Sequence, residues 1–181
     1  MNRFTNNIIL RFSLIALIFS ITSITSFSQD QAGEFYSQSL RINNTGMFVL
    51  GSWALANIGT GAYGWATREG HSKYFNQMNM FWNFVNLSIA GFALYNNYSL
   101  DYSMMTADEL MKRHMNTEKV LLINAGLDLG YMGAGLLLKH LSANSVKRPD
   151  MLKGYGNSLL LQGGFLLAFD AILYFALRAL R

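Results

Sequence analysis

Four blocks of apolar residues constrain the fold of this chain more than any other feature. They cover residues 47–66, 78–95, 120–138 and 157–177, and the only acidic or basic residues inside them are Asp128 and Asp170. A helix needs about 20 mostly apolar residues to cross the hydrocarbon core of a bilayer. The sequence therefore predicts an all-α fold: a polytopic membrane protein built as an antiparallel bundle of four transmembrane helices. For the second block, which is rich in asparagine, a partly interfacial helix is the alternative.

The amino-acid composition excludes several classes of protein. Of 181 residues, 51% are hydrophobic and 13% charged, and there is no cysteine. These values exclude a disordered chain, a disulfide scaffold, a thiolate metal site and a cysteine nucleophile. The net charge of +4 is spread over short loops instead of one face. No nucleic-acid partner is therefore expected, and the expected partners are the lipid bilayer and either a second copy or another membrane protein.

The N-terminal residues have the pattern of a secretory signal peptide. Arg3 and Arg11 precede an apolar run, 12–27, and the small residues Ser26 and Ser28 suit cleavage after Ser28. We predict a signal peptide over 1–28 and a single membrane domain over 29–181. An uncleaved first transmembrane helix is the alternative.

Export of the mature N-terminus decides the predicted orientation. Lysine and arginine are equally frequent in the loops assigned to the two sides, so the positive-inside rule alone does not choose. With the N-terminus exported, four crossings place the C-terminus outside as well. We expect a multi-pass protein of the cell inner membrane, and an uncleaved first helix would give the same orientation.

A line of amides runs along the second block. Asn76, Asn79, Asn83 and Asn86 recur at steps of three, four and three, which places them on one helix face. An unpaired amide costs several kcal/mol in hydrocarbon, so this face is expected to point into the bundle. The other blocks carry polar residues at a similar depth. The predicted intramembrane polar cluster consists of Asn57, Asn83, Asn86, Asp128, Gln162 and Asp170.

The third block has two distinct faces, which predicts a central helix. One face carries small residues that would let another backbone approach closely, and the opposite face carries polar residues. The predicted packing residues are Gly126, Gly130 and Gly133, and the opposite line consists of Asn124, Asp128, Tyr131 and Gly135.

The two intramembrane acids leave two interpretations open. Each aspartate opposes insertion of its helix into the bilayer by about 2.5 to 3.5 kcal/mol. Each is therefore expected to have a functional or structural role. The first hypothesis is a structural or interaction module whose polar cluster fixes helix packing. The alternative is a small proton- or cation-linked transporter or channel unit that uses Asp128 and Asp170.

Neither catalysis nor a cofactor is predicted. The chain lacks a glycine-rich phosphate loop, a His-Glu-x-x-His motif and a nucleophile elbow, so no catalytic residue is assigned and the protein is not expected to be an enzyme. His71, His114 and His140 fall in loops or near helix ends and are predicted to be solvated. With no histidine deep in the bundle, neither a haem nor a bound metal is expected.

Several short runs together resemble a family of small bacterial membrane proteins, a domain of unknown function. The resemblance implies an exported N-terminus and a four-helix membrane unit, and it implies no activity, substrate or catalytic residue. The runs are Leu40-Arg-Ile-Asn43, Thr45-Gly-Met47, Leu50-Gly-Ser-Trp-Ala-Leu-Ala-Asn57, Gln77-Met-Asn79, Trp82-Asn-x-x-Asn86 and Leu161-Gln-Gly-Gly164 with Asp170.

Overall fold

Four α-helices make up the structure, a computed structural model that describes the backbone of residues 3–181 and the side chains of residues 29–181. They are α1 (Arg3–Thr67), α2 (Gly70–Ser99), α3 (Ala107–Asn144) and α4 (Pro149–Arg178), with one 3-10 turn at Tyr102–Met104. Within these residues there is no strand. The all-α prediction with four helices is confirmed. The predicted signal peptide, 1–28, lies outside the residues whose side chains are described.

Short connections make neighbouring helices antiparallel. Between α1 and α2 the chain turns at Gly70, whose φ of 56° lies in the left-handed region. Before α3, Thr106 and Glu109 form a capping box, with the Thr106 amide donating to Glu109 Oε2 at 2.8 Å. Pro149 occupies the first turn of α4, where its missing N–H costs no helical hydrogen bond.

The central helices are α1 and α4. Each of them packs against all three other helices, and the most extensive interfaces are α3 with α4 and α1 with α2. In contrast, α2 and α3 hardly touch. The prediction of a central α3 is therefore wrong, because one long side of α3 has no helix against it.

Close packing of α3 also differs from the prediction. A Cβ placed on Gly126, Gly130 or Gly133 would meet no described atom of another helix within 4 Å. The close approach is on the opposite side, where a Cβ on Gly135 would lie 2.8 Å from the carbonyl oxygen of Gly156 in α4. The face that carries Asp128 is turned towards α4, and the predicted glycine line is thereby turned outwards.

Apolar side chains cover the outside of all four helices, and the inside holds both apolar and polar side chains. Among the described residues, eleven polar or charged residues are buried beside eleven apolar ones, whereas large apolar residues such as Leu55, Phe92, Leu136 and Ile172 are at least 60% exposed. By length and composition, two of the helices as described, α3 and α4, are long and apolar enough to cross a membrane.

Candidate functional site

A network of side-chain amides joins three helices in the middle of the bundle. Asn79 of α2 is its centre: Nδ2 donates to Asn57 Oδ1 of α1 at 2.5 Å, and Oδ1 accepts a hydrogen bond from Gln162 Nε2 of α4. Gln162 Oε1 in turn accepts from Trp53 Nε1 at 3.1 Å. Each of these amides thus has an interhelical partner, which removes much of the cost of burying it.

The network continues outwards along α2. Asn83 Nδ2 donates to the carbonyl oxygen of Asn79 at 2.7 Å, and Asn86 Nδ2 donates to Asn83 Oδ1 at 3.2 Å. All three side chains are buried. The amide line predicted from the sequence therefore does face the interior, and it leads from the centre of the bundle towards α3.

Asp128 of α3 and Asp170 of α4 form a separate acid pair. Both are buried, and their carboxyl groups lie within hydrogen-bonding reach of each other. Within the described part of the chain, no group donates a hydrogen bond to Asp128 Oδ2. The structure thus brings the two predicted acids together, and the hydrogen bonds of the amide network do not include them.

The acid pair lines a cavity of about 340 Å³ between α2 and α3. Helix α4 supplies the floor with Leu166, Phe169 and Asp170. Two amides that point to the same space, Asn86 and Asn124, make the acidic end more polar. The volume is within the range of small-molecule sites, about 300 to 1,000 Å³.

Sequence reasoning missed two members of the amide network. Asn79 was placed on the correct helix face but outside the predicted cluster, although it contacts both α1 and α4. Trp53 is not among the predicted cluster residues, whereas its indole donates to Gln162 and its ring stacks on Phe165 with centroids 3.9 Å apart. The spacing of Trp53 four residues before Asn57 is the signal that places both on one face.

A second polar group, with three of its four members buried, lies beyond the apolar blocks at the end of the bundle that holds the C-terminus. This outer cluster consists of Ser39, His114, Glu118 and Arg181. His114 Nδ1 lies 2.8 Å from Ser39 Oγ, and Nε2 lies 3.2 Å from Glu118 Oε1. Arg181 donates to Glu118 Oε2, so the C-terminal end of α4 is tied to α3.

The prediction that His114 is solvated is wrong. The side chain is fully buried, because α1 covers this part of α3 and Phe35 packs against the imidazole with ring centroids 4.7 Å apart. Burial lowers the pKa of His114 below its usual range, although the Glu118 carboxylate opposes the shift. His71 and His140 are exposed, as predicted.

Among residues 29–181, no group of three or more histidine, aspartate or glutamate side chains is arranged to hold a metal ion. Fold and site together define an all-α, four-helix protein with a polar interior and two helices able to cross a membrane.

The chain belongs to the family of unknown function DUF6992, which matches residues 49–171. The predicted resemblance to a family of unknown function is thereby confirmed, and the matched range includes both acids and every amide of the network. The runs quoted at 40–47 precede that range. No curated protein and no solved structure matches the chain.

Proposed function

We propose that this protein is a multi-pass integral membrane protein of the inner membrane, in which all four helices cross the bilayer. The proposal is supported by the distribution of side chains, in which apolar residues face outwards, and amides and buried acids face inwards. This distribution holds for α1 and α2 as well as for α3 and α4. Phe48 and Leu55 of α1 and Phe84 and Phe92 of α2 are exposed, whereas the amides of the same helices are buried. A soluble protein would not leave so much contiguous apolar surface in water.

In this proposal residues 1–28 are a cleaved signal peptide, and both ends of the mature chain are exported. The α1–α2 and α3–α4 connections then lie on the cytoplasmic side. The signal peptide supports this orientation, because lysine and arginine are equally frequent in the loops of the two sides and so do not choose between them.

The activity best supported by the geometry is uptake of a proton or a cation at the acid pair. One observation carries this proposal: two buried carboxyl groups line one cavity within hydrogen-bonding reach of each other, and Asp128 Oδ2 has no hydrogen-bond donor among the described residues. Two ionised carboxylates in contact repel strongly where little water is present. A shared proton or a bound cation relieves the repulsion, and the adjoining cavity gives either of them space to enter.

The second candidate is a structural or interaction module, and the amide network supports it. Its hydrogen bonds connect α1, α2 and α4 at one level and so fix the rotation of each helix about its own axis. The two candidates are compatible, because a rigid frame of amides holds the acid pair in place. In neither of them is the protein an enzyme.

Stability measurements on the purified protein distinguish the candidates. Heat unfolding in detergent is followed across pH 5 to 9 and with sodium, potassium or calcium. The proteins are wild type, Asp128→Asn, Asp170→Asn and a control, Asp150→Asn. Asp150 is exposed at the start of α4, so its change leaves the cavity intact.

For an acid pair that takes up a positive charge, we expect the melting temperature of wild type and of Asp150→Asn to depend on pH or on a cation. In each cavity variant that dependence should be weaker and lie in a different pH range, because the new amide does not titrate and the remaining acid no longer faces a second carboxyl group. If all four proteins gave the same pH and cation profiles, the acid pair would have only a structural role.

A further inference from the structure

The cavity that holds the acid pair opens sideways, between α2 and α3. These helices have one prominent contact, the edge-to-face pair of Trp82 and Tyr131 with ring centroids 4.7 Å apart. Three apolar residues at the opening are strongly exposed: Val85 by 59%, Ile89 by 53% and Leu127 by 51%. In a four-helix membrane protein such an opening faces the hydrocarbon instead of either aqueous side.

The interior of the cavity has one polar end and a larger apolar part. Asp128, only 3% exposed and with Oδ2 unpartnered among the described residues, turns towards this space together with Asp170. When a proton is shared between the two carboxyl groups, one negative charge remains. The other walls include Trp82, Tyr131 and Phe169, whose ring faces attract cations.

This combination fits an organic cation better than an inorganic one. Calcium takes six to eight oxygen ligands and magnesium about six. The polar end offers two carboxyl groups and two amides, and most of the remaining lining is apolar or aromatic. A primary ammonium group needs only about three acceptors, and its apolar substituent gains by leaving water for the aromatic walls.

We infer that the cavity between α2 and α3 binds a primary organic ammonium ion with an apolar body, which enters from the bilayer past Val85, Ile89 and Leu127. The ammonium group donates hydrogen bonds to the Asp128 and Asp170 carboxyl groups, and the apolar body lies against Trp82 and Phe169. The inference rests on the proposed function, because it uses the same acid pair and names the class of cation.

The test uses 4-phenylbutylammonium as the probe and its neutral analogue, 4-phenylbutanol, as the control ligand. Binding to the full chain is measured by isothermal titration calorimetry in nanodiscs at neutral pH, with empty nanodiscs subtracted to remove partition into lipid. The proteins are wild type, Asp128→Asn, Asp170→Asn and the exposed-acid control Asp150→Asn.

We expect saturable binding of the ammonium ion to wild type and to Asp150→Asn with equal affinity. Each cavity variant should bind at least tenfold more weakly, and so should the alcohol to wild type. Ile89→Trp provides a second variant that keeps both acids and narrows the opening, and it should slow association at least tenfold when binding is followed by stopped-flow fluorescence.

Equal binding of the ammonium ion and the alcohol, or unchanged affinity in Asp128→Asn and Asp170→Asn, would overturn the inference. If the ammonium ion did not bind while sodium or pH still stabilised wild type through the acids, the class of ligand would be wrong and the proposed function would stand. If neither the ammonium ion, inorganic cations nor pH acted through the acids, both would fail.

Discussion

At the scale of single residues, Asn79 is the side chain whose loss should affect the bundle most. Its amide donates to Asn57 and accepts from Gln162, so it connects α1, α2 and α4. Replacing it with alanine leaves Asn57 Oδ1 and Gln162 Nε2 without the hydrogen bonds that they make to Asn79. Hydrogen bonds between membrane helices contribute on average about 0.6 and at most about 1.7 kcal/mol each.

We therefore expect Asn79→Ala to lower the free energy of unfolding by about 1 to 3 kcal/mol. Asn96→Ala, an exposed amide near the end of the same helix, is the control and should be neutral. Unfolding by sodium dodecyl sulfate in mixed micelles, followed by circular dichroism, measures both changes. Equal stability of the two variants would show that the network does not hold the helices together.

His114 gives the folded protein a pH dependence at its outer end. Because burial lowers its pKa in the folded state, the unfolded chain takes up the proton first as the pH falls. This contribution to stability is complete above the unfolded pKa, about 6.5, and is lost as the pH falls below it.

We expect His114→Gln to be less stable than wild type at pH 8, because glutamine does not reproduce the contacts with Ser39, Glu118 and Phe35. The difference between the two melting temperatures should narrow from pH 7 to pH 5. The exposed His140→Gln should track wild type at every pH. A constant difference across that range would argue against titration of His114.

The sequence predicts the amide line but not the outer cluster, and the reason is physical. Amide spacing on α2 identifies one face, and the high cost of exposing amides to hydrocarbon determines which way that face points. Beyond the apolar blocks, polar side chains can form hydrogen bonds with water, so the cost of exposing them does not determine which way they point. Whether His114 is covered depends on how far α1 continues beside α3, which local spacing does not reveal.

At the scale of helices, the interface of α3 with α4 depends on backbone contact at two glycines. A Cβ on Gly135 would lie 2.8 Å from the Gly156 oxygen, and a Cβ on Gly156 would lie 2.7 Å from the Gly135 oxygen. Both obstructing atoms belong to backbone, which cannot move aside as a flexible side chain can. One added methyl group therefore pushes the helices apart.

We expect Gly135→Ala to lower the free energy of unfolding by about 1 to 3 kcal/mol, the usual cost of overpacking. The matched control is Gly130→Ala in the same helix, where the new methyl group meets no described atom of another helix. It should stay within about 0.5 kcal/mol of wild type. Thermal unfolding in detergent measures both variants. The reverse order would show that Gly130, and not Gly135, lies against a neighbouring helix.

The prediction from the sequence placed the close packing of α3 on the wrong side. Two lines of small or polar residues run along it, and small residues by themselves show only that close approach is allowed. The packed side is the one with Asp128, since its carboxyl group needs the polar interior while the glycines tolerate either environment. Giving the acid priority over the glycines would have predicted the observed rotation.

At the scale of the whole molecule, the packing of α2 against α4 determines how many helices cross the membrane. It thereby also determines on which side of the membrane each loop lies. Gly154 of α4 touches His71 of α2, so the first turns of these two helices lie at the same end. If α3 and α4 cross the membrane in this arrangement, α1 and α2 have to cross it with them. A two-span protein would instead require α2 to separate from α4.

The absence of natural cysteine makes this topology directly testable. We expect single cysteines at Glu69 and Val146, in the two connections at one end, to be modified by a membrane-impermeant maleimide only after the cells are lysed. A cysteine at Met104, which is 86% exposed between α2 and α3, should react in intact spheroplasts. If Glu69→Cys reacted before lysis while Val146→Cys did not, only α3 and α4 would span the bilayer, and the extended interface of α2 with α4 could not form as it does here.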